Sequence, residues 1–396
     1  MNLAILHPDV QDFISDNLTT EITKLILKGS PFAAISIQEL ANQIVAKQKS
    51  EKKLPTWFAT QNIYYPPKIS IEQTSSEIAA NHKLTLVSGE SIIDITGGFG
   101  IDAHAFSKEF KSVVHCEINP SLSSIVKHNL NQLQVKNIET FSGDGLKYLK
   151  ETPQKFDCIY IDPSRRNDLK GKVFLLKDCL PYVPPKIDFL FGKAKQILIK
   201  TSPILDITNT INDLKNAKKV QVVAVNNEVK ELLFLLEENH EESIVIEAIH
   251  YQKNSVQKIA FNYQSDTKST YSLPLTYLYE PNAAILKSGG FHEVGKQLKV
   301  FKLHQHSHLY TSNERVDFPG RTFVVEHCLP FDKKKIKKLL GNQQANITIR
   351  NFPKSVAQIR KETKIKEGGN LFLFFTTNQE NKQIVLFCKK ASQNFQ

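Results

Sequence analysis

The chain has 396 residues, 41% of them hydrophobic and 23% charged, which excludes a disordered chain and leaves room for two or three domains at roughly 150 residues each. The longest apolar runs, Leu232–Leu236 and Leu371–Phe375, are too short to cross a bilayer, and Met1–Gln11 lacks the cationic start and long apolar segment of a secretory signal. The net charge of +11 is uneven: Arg321–Gln396 holds 12 Lys and 3 Arg against 5 acidic residues, so this segment carries nearly all the excess and favours a polyanionic partner.

Residues 1–50 read as helical. Ser36-x-x-Glu39 has the pattern of a capping box, and Ile37, Leu40, Ala41, Ile44 and Val45 form one apolar stripe. Gly29 and Pro31 separate this helix from one ending near Leu27. Lys47–Lys53 is a polar run, and Tyr64-Tyr65-Pro66-Pro67 is extended, because a residue before proline avoids the helical basin. Ser70–Glu77 then leads into a helix reaching about Leu86, with Thr74 or Ser75 as its cap.

Asp94-Ile95-Thr96-Gly97-Gly98-Phe99-Gly100 follows the apolar pair Ile92-Ile93 and precedes a helical stretch, Ala103–Phe110. A strand, a glycine turn and a helix in that order form a nucleotide-binding crossover, with free N–H groups at the helix start. Gly98-x-Gly100-x-x-Ala103 also satisfies the dinucleotide fingerprint, with Glu117 close to the place of its ribose-binding acid. The carboxylate of Asp94 at the strand end repels a pyrophosphate and suits a cofactor carrying an ammonium and a sulfonium. Three further strands end in acids: Val113–Glu117, Ile138–Asp144 closing on Gly143-Asp144, and Phe156–Asp162 closing on Asp162-Pro163. These supply acceptors for ribose hydroxyls, an acceptor for an adenine amine and a group at the reaction edge.

Further strands are expected at Gln196–Thr201, Lys219–Val225 and Ser243–Tyr251, with a helix at Glu228–Glu237 between the last two. Lys200 stands on the same rim as Asp162, where it either faces substrate or snorkels to solvent. A second unit begins around Leu273, with Tyr279–Leu286 as a loop entering a helix that Gly289-Gly290 ends. From Phe323 the pattern is strand, helix (Lys333–Leu340), strand (Ile347–Arg350), helix (Val356–Lys364) and two strands (Leu371–Thr376, Ile384–Cys388), a small ferredoxin-like α+β layer. His304-x-His306-x-His308 would share one face of a strand, but no nearby cysteine or carboxylate completes a ligand set, so no metal is expected. The five cysteines are scattered without a CxxC pair, which suits a reducing cytoplasm.

This constellation resembles the class I S-adenosylmethionine-dependent methyltransferases over about Glu72 to Tyr251. The likeness is greatest to RNA methyltransferases of the trimethylguanosine-synthase and ribosomal guanine-amine type. The arrangement of the whole chain resembles a bacterial group with a THUMP-like carboxyl-terminal region. The fold implied is α/β, a Rossmann-like, seven-stranded doubly wound sheet with its last strand usually antiparallel, plus an N-terminal helical unit and a C-terminal α+β ferredoxin-like, THUMP-like domain. The expected boundaries are 1–60 for the helical unit, 61–265 for the methyltransferase domain, 266–320 for a connecting segment and 321–396 for the basic domain.

The resemblance implies S-adenosylmethionine as cofactor, held by Asp94, Thr96, Gly98, Gly100, Glu117 and Asp144. Thr96 stands where many members have glycine. In these families the segment before the first strand folds over the methionine end, which makes Glu72, Gln73 and Ser75 candidates for a lid. Asp162, Pro163, Ser164 and Arg165 match the catalytic fourth motif. Ser164 replaces a second proline, and Arg165-Arg166 replaces the aromatic that stacks on a base, which weakens the case for an exocyclic-amine target. Arg165, Arg166, Lys200, Arg321 and Arg350 are the candidate substrate contacts: Arg165 and Arg166 by clamping phosphate or stacking their planes, unless they pair with Asp168 or another local acid, and Arg321 and Arg350 as basic residues near Phe323 and Phe352 that meet both phosphate and base, unless those rings are simply core. The expected function is methylation of RNA, tRNA or rRNA, in the cytoplasm and without membrane contact. The alternatives are an RNA-binding protein with a catalytically silent fold, or a methyltransferase acting on DNA, protein or a small molecule.

Overall fold

The computed structural model describes residues 1–165 and 175–391. Their contacts divide the chain into two compact units, Met1–Val220 with Glu231–Glu242, and Gln221–Lys230 with Ser243–Gln396.

The first unit opens with helices α1 (Pro8–Asp16), α2 (Ile22–Lys28), α3 (Ile37–Lys53), α4 (Pro55–Ala59), α5 (Lys68–Gln73) and α6 (Glu77–Lys83). The capping box forms at α3. The Glu39 N–H donates to Ser36 Oγ and the Ser36 N–H to the Glu39 carboxylate, so two orphan donors are satisfied reciprocally. At α6 the cap is Ser76, one residue past the positions expected, and this frees Ser75 for another partner. Leu40 and Ile44 of α3 share one core with Trp57, Phe99 and Ile101. Trp57 packs its ring 4.8 Å from Phe99 of the glycine turn and donates its indole N–H to His104. The helical segment is therefore packed against the turn it precedes.

The sheet of this unit comprises β1 (Ser91–Asp94), β2 (Ser112–Glu117), β3 (Ile138–Ser142), β4 (Phe156–Ile161), β5 (Ala194–Thr201), β6 (Ala217–Val225) and β7 (Glu228–Glu237), in the order β6-β7-β5-β4-β1-β2-β3. β1 to β5 are parallel and β7 runs antiparallel to β5. Helices α7 (Ile101–Phe106), α8 (Pro120–Gln132), α9 (Gly145–Glu151), α10 (Ile187–Phe191) and α11 (Ile207–Asp213) fill the crossovers. The order reverses beside β1, between β2 and β4, and this switch point is where an α/β sheet opens its ligand crevice.

One expected element is corrected. Glu228–Glu237 is not a helix but the seventh strand, and the hairpin tip that joins it to β6 is counted with the second unit. Leu232–Leu236 is buried throughout, as in a strand covered on both faces, and such a run has neither the alternation of an exposed strand nor a polar helical face. Asn226 and Asn227 both have positive φ, 52° and 62°, the requirement of a two-residue hairpin turn.

In the second unit, the strand expected at Ser243–Tyr251 forms as β8 (Val245–Tyr251), hydrogen-bonded in the same sheet order beside β6 and pairing antiparallel with β9 (Val256–Asn262), which makes that sheet nine-stranded rather than seven-stranded. A seven-stranded sheet follows from β10 (Tyr277–Pro281), β11 (Phe301–Lys302), β12 (Tyr310–Ser312), β13 (Gly320–Pro330), β14 (Ala345–Arg350), β15 (Leu371–Thr377) and β16 (Gln383–Lys390), in the order β11-β12-β10-β13-β16-β15-β14. Helices α12 (Ala283–Ser288), α13 (Phe291–Leu298), α14 (Lys333–Leu340) and α15 (Val356–Thr363) complete it. Ile336, Leu340 and Ile359 pack on Leu373, Phe375 and Val385. The stretch 266–320, read as a connector, thus carries three strands of the same sheet.

The three histidines do not lie on a strand. His304, His306 and His308 occupy the turn between β11 and β12, where Asn381 and Asn351 engage His304 while His308 stacks on Phe291. Among the described residues no group of three His, Cys, Asp or Glu is arranged to hold a metal ion, and no helix is long and apolar enough to cross a membrane.

Candidate active site

The carboxyl ends of β1, β2, β3, β4 and β5 carry Asp94, Glu117, Asp144, Asp162 and Lys200. Parallel strands that end together bring residues far apart in sequence to one rim. Asp94 is buried, and its Oδ1 accepts from the Thr96 N–H at 2.9 Å and the Thr96 hydroxyl at 3.2 Å. Burial pushes this carboxyl well above its ordinary range. The Thr96 N–H opposes that, and the neighbouring Asp102 and Asp162 add to it. Thr96, which replaces a glycine of the resembled motif, also accepts from the Asp162 N–H at 2.7 Å. One threonine thus ties the first motif to the fourth.

The glycine turn is pinned to β2 by Gly97, whose N–H donates to the Cys116 carbonyl at 2.9 Å. Gly98 (φ 57°) and Gly100 (φ 81°) lie in the left-handed region, which a side chain disfavours. Above Gly98 the nearest atom to an added Cβ is 3.9 Å away, so the turn is open on that side. The Gly98 N–H donates to Glu117 Oε2 at 2.8 Å and the Asn119 N–H donates to Oε1 at 2.7 Å. Asp144 is exposed and caps α9, accepting from the Leu146 N–H at 2.8 Å. Between the two acids Ile118 is 71% exposed, an apolar surface beside the turn that sequence reading overlooked.

These residues fit an adenosine-bearing cationic cofactor. The open turn admits close backbone approach, Glu117 and Asp144 retain acceptor capacity for hydroxyl and amine groups, and Ile118 offers the apolar face a purine covers.

At the reaction edge Lys200 forms an ion pair with Asp162 Oδ2, so Lys200 is turned inward and does not snorkel. Pro163 follows, half-buried, and Ser164-Arg165 forms a short antiparallel ladder with Cys179-Leu180. The side chain of Arg165, and Arg166 altogether, lie outside the described residues.

Behind this edge is a buried ionic cluster that sequence reading did not find. Lys83, from α6, is fully buried and reaches Asp102 of α7 at 3.0 Å and Glu231 of β7 at 2.9 Å. Asp102 Oδ2 also accepts from the Ser75 and Tyr160 hydroxyls, each at 2.9 Å. Burial works to raise Asp102, but Lys83 and then Lys200 outweigh it and hold the carboxyl below its usual value. Burial likewise works to lower Lys200, and Asp162, Asp102 and Glu231 more than reverse that.

Of the lid candidates, Ser75 therefore joins the cluster, Glu72 pairs with Lys49 of α3, and Gln73 is exposed. In the second unit Arg321 and Arg350 converge on one buried acid, Glu280, the latter at 2.8 Å. Both candidate RNA contacts are thus ion-paired, which the sequence reading did not foresee.

Three family descriptions match the chain: conserved hypothetical protein 95 over residues 43–179, a ferredoxin-like domain over 277–319 and a THUMP domain-like region over 320–390. An uncharacterized RNA methyltransferase of Mycoplasma mobile is 32% identical over 103 residues, which is 26% of this chain and 27% of that protein, so the chain matches only about a quarter of its length. The crystal structure of a Porphyromonas gingivalis W83 protein assigned as a methyltransferase superposes with a TM-score of 0.86, at 31% identity and over 98% of both chains. At that identity along nearly the whole of both molecules, with the glycine turn and acidic rim in place, this chain belongs to the same family of methyltransferases with a THUMP-like carboxyl-terminal region.

Proposed function

We propose that the protein is a cytoplasmic S-adenosylmethionine-dependent methyltransferase acting on RNA, tRNA or rRNA. The observation that carries the reading is the convergence of the open Gly98 turn, Glu117, Asp144 and Asp162 on one rim of the sheet. The bound cofactor supplies an electrophilic methyl group on a sulfonium. The chain's own residues bind, orient and handle the proton. Glu117 and Asp144 accept from hydroxyl and amine groups, and Asp162 accepts a hydrogen bond or the proton of the nucleophile being methylated.

The support for RNA is electrostatic. Lys333, Lys334, Lys335, Lys337 and Lys338 are all exposed on α14, and a dense run of lysines gains affinity for phosphates by counterion release. The basic second unit would grip the polyanion while the first unit carries out the transfer.

The test uses purified protein, labelled S-adenosylmethionine and total RNA, with nucleosides resolved by mass spectrometry. Asp162→Ala is expected to lower incorporation by about 10²- to 10⁴-fold, the usual contribution of a positioned acid or base, while cofactor binding measured by calorimetry stays close to wild type. Incorporation unchanged in the variant would contradict the assigned role. RNA binding without cofactor binding would favour the silent-fold alternative.

A second expectation concerns pH. Before the cofactor binds, the raised Asp94 carboxyl holds its proton into a higher pH range than an ordinary aspartate. A sulfonium or ammonium beside it favours the ionised form, so cofactor binding should release a proton and tighten as pH rises through the Asp94 pKa. Each unit by which the cation lowers that pKa adds about tenfold in affinity. Calorimetry in two buffers of different ionisation enthalpy should show net proton release, absent in Asp94→Asn. Proton uptake in the wild type would rule this linkage out.

A further inference from the structure

We propose that Lys200 is a positioning residue of the reaction edge: its ammonium fixes the Asp162 carboxylate. The inference rests on the methyltransferase reading above and deepens it. Asp162 is held twice. Its N–H donates to Thr96 Oγ1 at 2.7 Å, and its Oδ2 is paired with Lys200, leaving Oδ1 to accept from the nucleophile. Loop rigidity alone does not explain this, because Ser164 stands where a proline would fix the backbone.

Lys200 is itself placed by charge. The groups around the pair are Asp94 from β1, Asp102 from α7, Tyr160 from β4, Glu231 from β7 and Lys83 from α6. Lys200 is ion-paired with Asp162, and behind it Lys83 is shared between Asp102 and Glu231. The side chain of Lys200 is only 12% exposed whereas that of Asp162 is 35% exposed. The lysine thus stands behind the acid that meets substrate. The antiparallel β7 matters here because it is the strand that delivers Glu231.

The test compares the full-length wild type with Lys200→Met and Lys200→Arg. In the transfer assay on total RNA, Lys200→Met should keep wild-type cofactor affinity but lose about 10- to 100-fold in rate, the cost of misplacing a reacting group by about an ångström. The loss should fall on kcat with KM for the cofactor unchanged, a split that a general folding defect would not give. Lys200→Arg keeps the charge with a different fork geometry, so a rate between those of Lys200→Met and wild type is expected. A wild-type rate in Lys200→Met would overturn the proposal.

Carbon-13 NMR of aspartate-labelled protein gives a readout that needs no substrate. The Asp162 carboxyl resonance, assigned through its loss in Asp162→Asn, should move and broaden at neutral pH in Lys200→Met as the fixed pairing is lost, and a resonance unchanged from wild type would overturn the pairing. Should Lys200→Met fail to fold, a wild-type rate in Lys200→Arg would count against positioning. If the wild type transfers nothing to RNA, the RNA reading fails, and the carboxyl resonance still decides the role of Lys200.

Discussion

Lys83→Met is expected to destabilise the first unit by about 3–5 kcal/mol, the cost of leaving buried charges without their partner. Lys83 is fully buried and serves two carboxylates, Asp102 and Glu231, whose side chains are 11% and 2% exposed. Methionine keeps most of the volume, so the loss would be electrostatic rather than a cavity. The sign with pH separates the two. In the variant both acids would have folded-state values raised above their unfolded ones, so they favour folding only while protonated. That stability is present below the ordinary carboxylate range and is lost as pH rises, so the defect should shrink on acidification toward pH ~4. Adding Glu231→Gln should recover part of the loss, because one stranded charge is removed. The protein has a single tryptophan, the buried Trp57 of this unit, so its fluorescence in urea reports this unit and avoids a two-state reading of the whole chain. A loss below about 1 kcal/mol, the scale of an exposed pair, would show that the cluster is not a structural charge centre.

The parts of this fold legible in the sequence are those written locally. Asp94 to Gly100 has strand, turn and helix signals within a few residues. The Ser36–Glu39 box and the Asp332 and Ser355 caps announce their helices in the same way, since each cap bonds within three residues. The acids after β2, β3 and β4 were visible because parallel strands end on one rim. Where partners are distant, the sequence misleads. Lys83 and Glu231 are 148 residues apart and look like solvated charges on helices, yet they are the two least exposed charged side chains of the site. Arg321 and Arg350 look like free phosphate contacts until Glu280 is seen between them. At Glu228–Glu237 the all-apolar middle erased the periodicity that tells strand from helix. The Asn226-Asn227 pair, both at positive φ, is the local cue to a hairpin there.

Gly97→Ala should weaken cofactor binding markedly although Gly97 is not one of the glycines with positive φ. The three glycines of the turn are needed for different reasons. Gly98 has room for a side chain and needs only its backbone angle, whereas a Cβ on Gly97 would stand 2.3 Å from His115 Nε2 and 2.7 Å from the Cys116 carbonyl. His115 is fully buried on β2, and burial pushes its imidazole down to about 4, so it is neutral and enclosed at ordinary pH. With neither ring nor strand able to retreat, the alanine must lift the turn off β2. This would break the Gly97 N–H bond to Cys116 and shift the Gly98 N–H away from Glu117. Overpacking of this kind costs about 1–3 kcal/mol, and if it falls on the bound geometry the affinity drops by about 5- to 150-fold. Calorimetry with S-adenosylmethionine measures it directly. Gly97→Ala with His115→Ala should recover part of the affinity, since the ring is removed while the Cys116 carbonyl stays. Gly98→Ala should be impaired through its backbone angle and gain nothing from His115→Ala. Equal rescue of both variants would mean that His115 is not the floor on which the turn rests.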